Sequence, residues 1–131
     1  VEGLDGAIDR AKAAVDAGAG MIFPEAMADE SEFAAMREAI DIPLLANITE
    51  FGKSELLTTE QLSNLGYNVA LYPATAQRLA LKAVEDGLME LRDKGTQAGK
   101  VSDMMPRERI YELVKYAEYG DFDESIYNFK L

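Results

Sequence analysis

The sequence contains no cysteine and no histidine. Without cysteine, the chain has no disulfide bond, no thiolate nucleophile and no sulfur ligand for a metal ion. Without histidine, it lacks the side chain that most often acts as a general base near neutral pH and as a zinc ligand. Any chemistry that this chain performs by itself must therefore use carboxylates, amides, hydroxyl groups and arginine.

Positive charge is also scarce, since 13 Lys and Arg stand against 24 Asp and Glu and give a net charge of −11. Phosphate backbones and anionic lipids repel such a chain, so we predict no nucleic-acid and no membrane partner. No apolar run approaches the ~18 residues of a membrane span, and no signal peptide opens the chain. We therefore expect a cytoplasmic protein.

The remaining composition is that of a globular protein. The chain has 131 residues, of which 48% are hydrophobic and 28% charged, enough for one domain with a core. It starts at Val1 rather than at Met, and a helical pattern begins almost at once. We therefore expect this chain to be a piece of a longer or processed protein.

Three short apolar runs alternate with helical patterns over the first 95 residues. The runs cover residues 21–23, 44–46 and 69–72. Pro24 and Pro73 end the first and third runs, and Pro43 introduces the second. Strands without polar alternation that are separated by helices predict a parallel sheet with helices over both faces.

The helical patterns carry start and stop signals. Asp29 or Ser31 is placed to cap the helix that follows the first run, and Thr58 and Gln61 have the spacing of a capping box. Glycines follow the helical patterns as stops, at Gly18, Gly66 and Gly95.

Three β/α units are too few to cover their own sheet. The fold class that we predict is therefore α/β, the carboxy-terminal part (about three β/α units plus a helical tail) of a (β/α)₈ TIM-type barrel. Residues 1–95 are then the last three β/α units, and residues 96–131 form a helical carboxy-terminal extension.

The extension has no strand of its own. Residues 95–105 form a polar connector, and Pro106 suits the first turn of a helix whose apolar face uses Ile110, Leu113, Val114 and Ala117. Residues 122–129 predict a last short helix. The residues leave open whether this tail packs on the chain's own core or on a neighbouring subunit.

Polar side chains follow all three predicted strands, where catalysis takes place in barrels. They are Glu25, Asn47 with Thr49, and Arg78 one turn into the next helix. Arginine binds a carboxylate with two hydrogen bonds, amides and hydroxyls donate single ones, and a glutamate holds a hydroxyl or a metal-bound water. The combination predicts a site for an oxyanion-rich ligand.

Each of these residues also has a purely structural interpretation. Glu25 fits the start of a solvent-exposed loop, and Asn47 and Thr49 are ordinary turn-forming residues. Arg78 fits a surface ion pair of little energetic value, and Arg107 fits the solvated first turn of a helix. Only their placement at equivalent strand ends favours a ligand site.

Several stretches resemble a known family. They are Phe23-Pro24-Glu25-Ala26, Leu45-Ala46-Asn47-Ile48-Thr49-Glu50-Phe51-Gly52 and Leu71-Tyr72-Pro73, with supporting matches at Val1-Glu2-Gly3-Leu4-Asp5, Gly95-Thr96-Gln97 and Arg107…Tyr111-Glu112. In order and spacing they resemble the carboxy-terminal half of the 2-methylisocitrate lyases, within the isocitrate lyase/phosphoenolpyruvate mutase superfamily. The resemblance covers essentially the whole chain, and Asn-Ile-Thr-Glu-Phe-Gly is its most specific motif.

The resemblance implies a (β/α)₈ barrel, Mg²⁺ dependence, and cleavage of 2-methylisocitrate to pyruvate and succinate in propionate breakdown, the methylcitrate cycle. It implies a homotetramer whose neighbouring subunits exchange helices, which would account for the tail. The matching substrate-binding positions are Glu25, Asn47, Ile48, Thr49, Arg78 and Arg107. The positions that match the pocket for the substrate methyl group are Phe23, Leu71 and Pro73.

The chain departs from the full pattern of this family. The catalytic cysteine loop, the Asp-rich metal ligands and a further arginine are implied upstream of Val1, so this chain has no catalytic and no metal-ligating residue of its own. We therefore predict that it is inactive alone. The alternatives are a sister enzyme (isocitrate lyase, dimethylmalate lyase, oxaloacetate hydrolase or a phosphonomutase) and a non-catalytic assembly or anion-binding remnant.

Overall fold

The computed structural model describes residues 2–127. The chain separates into two compact units, of which the first ends at Lys82 and the second begins at Ala83. In order, the elements are α1 (Gly3–Asp16), α2 (Glu30–Ala39), β1 (Leu45–Asn47), α3 (Thr59–Asn64), β2 (Val69–Leu71), α4 (Thr75–Lys94), a 3₁₀ helix (Ala98–Asp103), α5 (Arg107–Leu113) and α6 (Tyr116–Tyr127).

The first unit contains a parallel sheet, as predicted. In the β1–β2 pair, Leu45 lies beside Val69 and Asn47 beside Leu71. The predicted first strand, residues 21–23, is wrong as a strand, because it makes only a single parallel bridge between Ile22 and Leu44. The three apolar runs nevertheless lie side by side in chain order.

Prolines explain where the ladders end. The backbone N–H of Ile22 donates to the carbonyl of Pro43 at 3.0 Å, and that of Leu45 donates to the carbonyl of Ile22 at 3.0 Å. The next donor in this parallel pattern is the nitrogen of residue 24, and Pro24 has no N–H. Pro73 holds the equivalent position after β2. Both ladders therefore stop at the same end of the sheet.

The helices of the first unit cover one face of the sheet, so the prediction of helices over both faces is wrong for this unit. The side chains with almost no exposure are Phe33, Met36, Ile40, Leu44 and Leu62. The ring of Phe33 meets that of Tyr67 edge to face with centroids 5.3 Å apart, and the Tyr67 hydroxyl donates to the Phe33 carbonyl at 3.1 Å. Burial raises the pKa of Tyr67 to about 12, because the phenolate loses its solvation. This core fixes α2 and α3 against the strands.

The predicted helix signals are confirmed. Asp29 is the N-cap of α2, and its carboxylate accepts from the backbone N–H groups of Ser31 and Glu32. Thr58 and Gln61 form a reciprocal capping box at the start of α3. Gly66 follows α3 with φ +85, and a Cβ there would lie 3.1 Å from the Cδ atom of Arg37. Backbone conformation and packing therefore both favour glycine at this position.

The second unit consists of helices in the part of the chain that is described. The predicted connector contains the 3₁₀ helix, and the helix predicted to run from Pro106 to Ala117 is interrupted at Lys115, which has φ +52. A non-glycine residue with this φ ends regular helix. The predicted last helix corresponds to α6 up to Tyr127, and its end at Phe129 lies outside the described residues.

Every described residue from 101 to 127 is exposed. The boundary that we predicted at residue 95 coincides with the end of α4, whereas the two compact units divide within that helix. Docking of this extension on another subunit stays a prediction. None of the helices between residues 2 and 127 combines the length and apolar character needed to cross a membrane.

Candidate functional site

The two faces of the sheet differ in what they contact. Ala46 and Ile48 face the core, with 0% and 3% exposure. Because side chains alternate along a strand, Asn47 lies on the opposite face, and the register places Leu71 beside it. Leu71 and Phe23 are 38% and 48% exposed. The open face therefore combines a polar group with apolar neighbours near the carboxyl ends of the strands.

Glu25 and Asn47 are in direct contact. The Asn47 Nδ2 group donates to both carboxylate oxygens of Glu25, at 3.3 and 3.4 Å. Glu25 is exposed, and Ala26 directly after it has φ +60, a conformation rare for residues with a side chain. This turn redirects the chain immediately after the carboxylate.

The other half of the Asn47 amide is buried without a partner. Its Oδ1 atom is the buried side-chain atom that lacks any hydrogen bond within residues 2–127. A buried acceptor of this kind costs free energy unless a donor reaches it. Asn47 therefore holds Glu25 through its donor and keeps an acceptor that is unpaired among the described residues.

Thr49 and Arg78 form a second contact at the same end of the sheet. Arg78, on α4, donates through Nη1 to Thr49 Oγ1 at 3.2 Å and to the Glu50 carbonyl at 2.7 Å. The same nitrogen lies 2.5 Å from Glu50 Oε2, with the two side chains 39% and 27% exposed. Arg78 therefore ties the loop after β1 to the first turns of α4.

Glu50 is the residue that sequence reasoning missed. Its carboxylate accepts from the Thr75 hydroxyl as well as from Arg78. The Thr75 hydrogen bond, a backbone hydrogen bond and Arg78 together lower the pKa of Glu50, because each stabilises the ionised form. The only sequence signal was its place in the Asn-Ile-Thr-Glu motif, from which no role for Glu50 followed.

Phe51 completes this loop. It has φ +61, its ring centroid lies 5.3 Å from the guanidinium carbon of Arg78, and its side chain is 95% exposed. An arginine at this distance from a ring is within range of cation–π attraction. Glu50 and Phe51 therefore both contact the same guanidinium.

The remaining predicted residues lie in different environments. The Ile48 side chain is in the core, and its N–H donates to the Leu71 carbonyl at 2.9 Å, so the side chain is not on the open face. Pro73 is exposed beside Leu71. Arg107 is the exposed first residue of α5 in the second unit. Ligand contacts by all of these residues stay predictions.

The described residues do not fit a metal site. Mg²⁺ binds through oxygen ligands, usually one or two carboxylates together with waters and oxygens of the bound substrate. Between residues 2 and 127, no group of three or more His, Cys, Asp or Glu is placed to hold an ion. Any metal that serves this site therefore needs ligands beyond these residues.

A parallel sheet with helices packed on one face and polar side chains at the carboxyl ends of its strands is an α/β arrangement consistent with part of a barrel. The family model described as phosphoenolpyruvate phosphomutase matches residues 1–92. The chain therefore belongs to the phosphoenolpyruvate phosphomutase family, and its fold is part of a (β/α)₈ barrel.

Curated relatives cover nearly the whole chain. The chain is 49% identical over 129 residues to the probable 2-methylisocitrate lyase 2 of Corynebacterium glutamicum, which covers 98% of this chain and 42% of that protein. It is 43% identical over 125 residues to the 2-methylisocitrate lyase of Halalkalibacterium halodurans, covering 95% and 42%. The chain thus spans less than half the length of these relatives.

Solved structures share the fold. An oxaloacetate acetylhydrolase bound to the inhibitor 3,3-difluorooxalacetate superimposes with a TM-score of 0.83 at 27% identity, covering 92% of this chain and 40% of that one. A phosphonopyruvate hydrolase in complex with oxalate and Mg²⁺ superimposes with a TM-score of 0.72 at 22% identity, covering 97% and 45%. The second likeness concerns the fold alone.

Proposed function

We propose that this chain forms one side of the substrate site of a Mg²⁺-dependent carbon–carbon lyase that cleaves 2-methylisocitrate to pyruvate and succinate. The observation that carries the proposal is the pair of contacts at adjacent strand ends, Glu25 with Asn47 and Thr49 with Arg78. The 49% identity to a probable 2-methylisocitrate lyase supports the choice of substrate. The pathway is then propionate breakdown, and the compartment is the cytoplasm.

The chain's own residues bind and orient the substrate in this proposal. Arg78 contacts its neighbours among the described residues through Nη1, so its other guanidinium nitrogens remain for a substrate carboxylate. Thr49 supplies a hydroxyl hydrogen bond beside it, whereas Asn47 uses Nδ2 to orient Glu25 and contacts the substrate through its Oδ1 acceptor, which suits a substrate hydroxyl. In a retro-aldol cleavage, charge collects on the carboxylate of the succinate half, and we expect Arg78 and the Thr49 hydroxyl to stabilise it.

Phe23, Leu71 and Pro73 form the apolar wall that we propose for the methyl group of the substrate. Their exposure beside Asn47 supports this assignment. A single methyl group is worth ~1–3 kcal/mol in such a pocket. Some activity on isocitrate is therefore expected.

The chemical step belongs to the part of the protein that this chain does not contain. The base, the cysteine acid and the Mg²⁺ ligands are expected upstream of Val1, and Arg107 is proposed as a further carboxylate ligand. When bound, Mg²⁺ would stabilise the alkoxide and the emerging keto acid. We therefore expect no pyruvate from the 131-residue chain alone.

A homotetramer with exchanged helices remains the proposed assembly. The apolar residues of α5 and α6 support it, since Ile110 is 45% and Phe122 61% exposed. Light scattering on the intact protein is the test. A monomer would contradict the proposed assembly without touching the lyase assignment.

The decisive experiment expresses the intact protein, including the sequence upstream of Val1. Its products are measured with 2-methylisocitrate, isocitrate, 2,3-dimethylmalate and oxaloacetate in the presence of Mg²⁺. The proposal expects the highest kcat/KM with 2-methylisocitrate, and equal amounts of pyruvate and succinate. The matched control is the Glu55→Gln variant, because Glu55 is an exposed residue of the loop between β1 and α3. This variant should show the same substrate preference as the wild type.

One specific observation favours a second candidate. The oxaloacetate acetylhydrolase structure superimposes with a TM-score of 0.83 at 27% identity, compared with 0.72 at 22% identity for the phosphonopyruvate hydrolase. Formation of acetate and oxalate from oxaloacetate, with no turnover of 2-methylisocitrate, would establish that activity instead.

A further inference from the structure

The carboxylate of Glu50 connects the loop after β1 to the start of α4. Glu50 accepts from the hydroxyl of Thr75, the first residue of α4, and from Arg78 one turn later. Its own backbone carbonyl accepts from the same Arg78 nitrogen at 2.7 Å. Glu50 therefore holds Arg78 both by its side chain and by its backbone.

The side-chain contact restricts a flexible group. An arginine side chain has several rotatable bonds, and fixing it in one geometry costs conformational entropy. The Arg78 guanidinium is held by Thr49 Oγ1 at 3.2 Å, by Glu50 at 2.5 Å and by the Phe51 ring at 5.3 Å. These three neighbours are consecutive residues, so the loop acts as one support for the guanidinium.

We infer that Glu50 is a positioning residue that holds the Arg78 guanidinium ready for a substrate carboxylate, an inference that rests on the proposed function. Glu50 does not itself contact the substrate, because an anion beside a substrate carboxylate would repel it. It acts by orienting a cation that is otherwise mobile. The entropy of ordering Arg78 is then lost during folding rather than during substrate binding.

The same contacts also allow the opposite effect of Glu50 on substrate binding. A carboxylate paired with Arg78 competes with the substrate for the guanidinium. If competition dominates, removal of the Glu50 charge strengthens substrate binding. If positioning dominates, the same removal weakens it. The sign of the change in KM therefore decides between the two.

The test uses the intact protein with Glu50→Gln, Glu50→Ala, Arg78→Lys and the double variant Glu50→Ala/Arg78→Lys. Glu50→Gln keeps the shape and an acceptor but removes the charge, so it guards against a folding defect in Glu50→Ala. Because Arg78 binds the substrate carboxylate and also stabilises the charge that develops in the transition state, KM for 2-methylisocitrate should rise in Glu50→Ala and kcat/KM should fall about tenfold. The KM of Glu50→Gln should lie between the values for Glu50→Ala and the wild type.

The double variant tests whether Glu50 acts through Arg78. If it does, Glu50→Ala adds little to the defect of Arg78→Lys, because there is no guanidinium left to orient. Glu55→Gln is the matched control and should leave both constants unchanged. The inference would be overturned if the two single-variant defects multiplied in the double variant. It would also be overturned if KM were unchanged or lowered in Glu50→Ala.

A readout that does not depend on turnover separates this inference from the proposed function. Crystal structures of the intact wild type and of Glu50→Ala show directly where the guanidinium lies. If Glu50 positions Arg78, the guanidinium should be ordered beside Thr49 only in the wild type. If Arg78 is ordered identically in both, the inference fails even when the lyase activity is present. If the activity is absent but Arg78 loses its order in the variant, the proposed function fails and the positioning role stands.

Discussion

Replacing Asn47 by Asp turns an attractive contact into a repulsive one at nearly constant shape. In the wild type, Nδ2 donates to the two Glu25 oxygens at 3.3 and 3.4 Å. In the Asn47→Asp variant, two carboxylates face each other at about this separation. The intact protein should therefore lose stability as well as substrate affinity.

The distances set the size of the effect. Two like charges about 4 Å apart repel by about 1 kcal/mol in water and by about 4 kcal/mol at an effective dielectric of 20. Glu25 is exposed and Asn47 partly buried, so the lower value is closer. With the lost hydrogen bond to a charged group, the free energy of unfolding should fall by about 2 kcal/mol.

The effect should depend on pH. Repulsion raises the pKa of the carboxyl pair in the folded variant above that of the unfolded chain, by about one unit for every 1.4 kcal/mol. An acid whose pKa is raised on folding destabilises the protein above that pKa, and the penalty disappears as the pH falls toward the unfolded value. The variant should therefore be much less stable than the wild type at about pH 7.5 and closer to it at about pH 4.5.

Urea unfolding of the intact protein at these two pH values is the assay. Asn68→Asp is the matched control, because Asn68 Oδ1 accepts from the Leu44 N–H at 3.0 Å and a carboxylate oxygen can do the same. An equal loss of stability for Asn47→Asp at both pH values would refute the electrostatic reasoning. So would an equal loss in the control.

Three further predictions concern single contacts. Tyr67→Phe removes the hydrogen bond to the Phe33 carbonyl and should lower the free energy of unfolding by about 1 kcal/mol. In an alkaline absorbance titration of the same variant, the tyrosine that ionises at the highest pH should be missing, since burial raises the pKa of Tyr67 to about 12. Asp29→Ala removes the cap of α2 and should lower the thermal midpoint by a few degrees. Hydrogen bonds from the Ser31 hydroxyl and backbone lower the pKa of Asp29, so this difference should persist at neutral pH and vanish as the pH falls through that lowered pKa. Arg78→Lys keeps the charge but loses the planar fork, and kcat/KM for 2-methylisocitrate should fall about tenfold; an unchanged value would remove Arg78 from the site.

Local signals predicted the first unit well. The capping box at Thr58 and the cap at Asp29 were readable because their partners lie within three residues in the sequence. The apolar run 44–46 corresponds to β1 within one residue, and the run 69–72 to β2. The run 21–23 looked equally good as a strand. It makes a single bridge because Pro24 removes the next donor, which depends on a register that the sequence does not show.

The second unit was less predictable. The apolar spacing from Ile110 to Ala117 favoured a continuous helix, yet the backbone at Lys115 is left-handed. No glycine or proline marks this position, so neither of the usual helix-breaking residues gave a warning.

The candidate site was predicted in part. Pairing of Glu25 with Asn47, and of Thr49 with Arg78, follows from the rule that parallel strands end at one edge of the sheet. The role of Glu50 did not follow, because side-chain alternation says nothing about which way a residue beyond the strand points. The core position of the Ile48 side chain was predictable, because its N–H still bonds to the Leu71 carbonyl and continues the alternation of β1 by one residue.

The two prolines that end the ladders also protect their alignment. If β2 slid two residues back along β1, the nitrogen of Pro73 would stand where the Leu71 N–H stands in the native register. The same slip of residues 21–23 would bring Pro24 opposite the Pro43 carbonyl, which accepts from the Ile22 N–H in the native pairing. Each slipped pairing therefore loses a hydrogen bond that the native pairing makes, and replacing the exposed Pro73 by alanine would make such misaligned forms more accessible during assembly of the sheet.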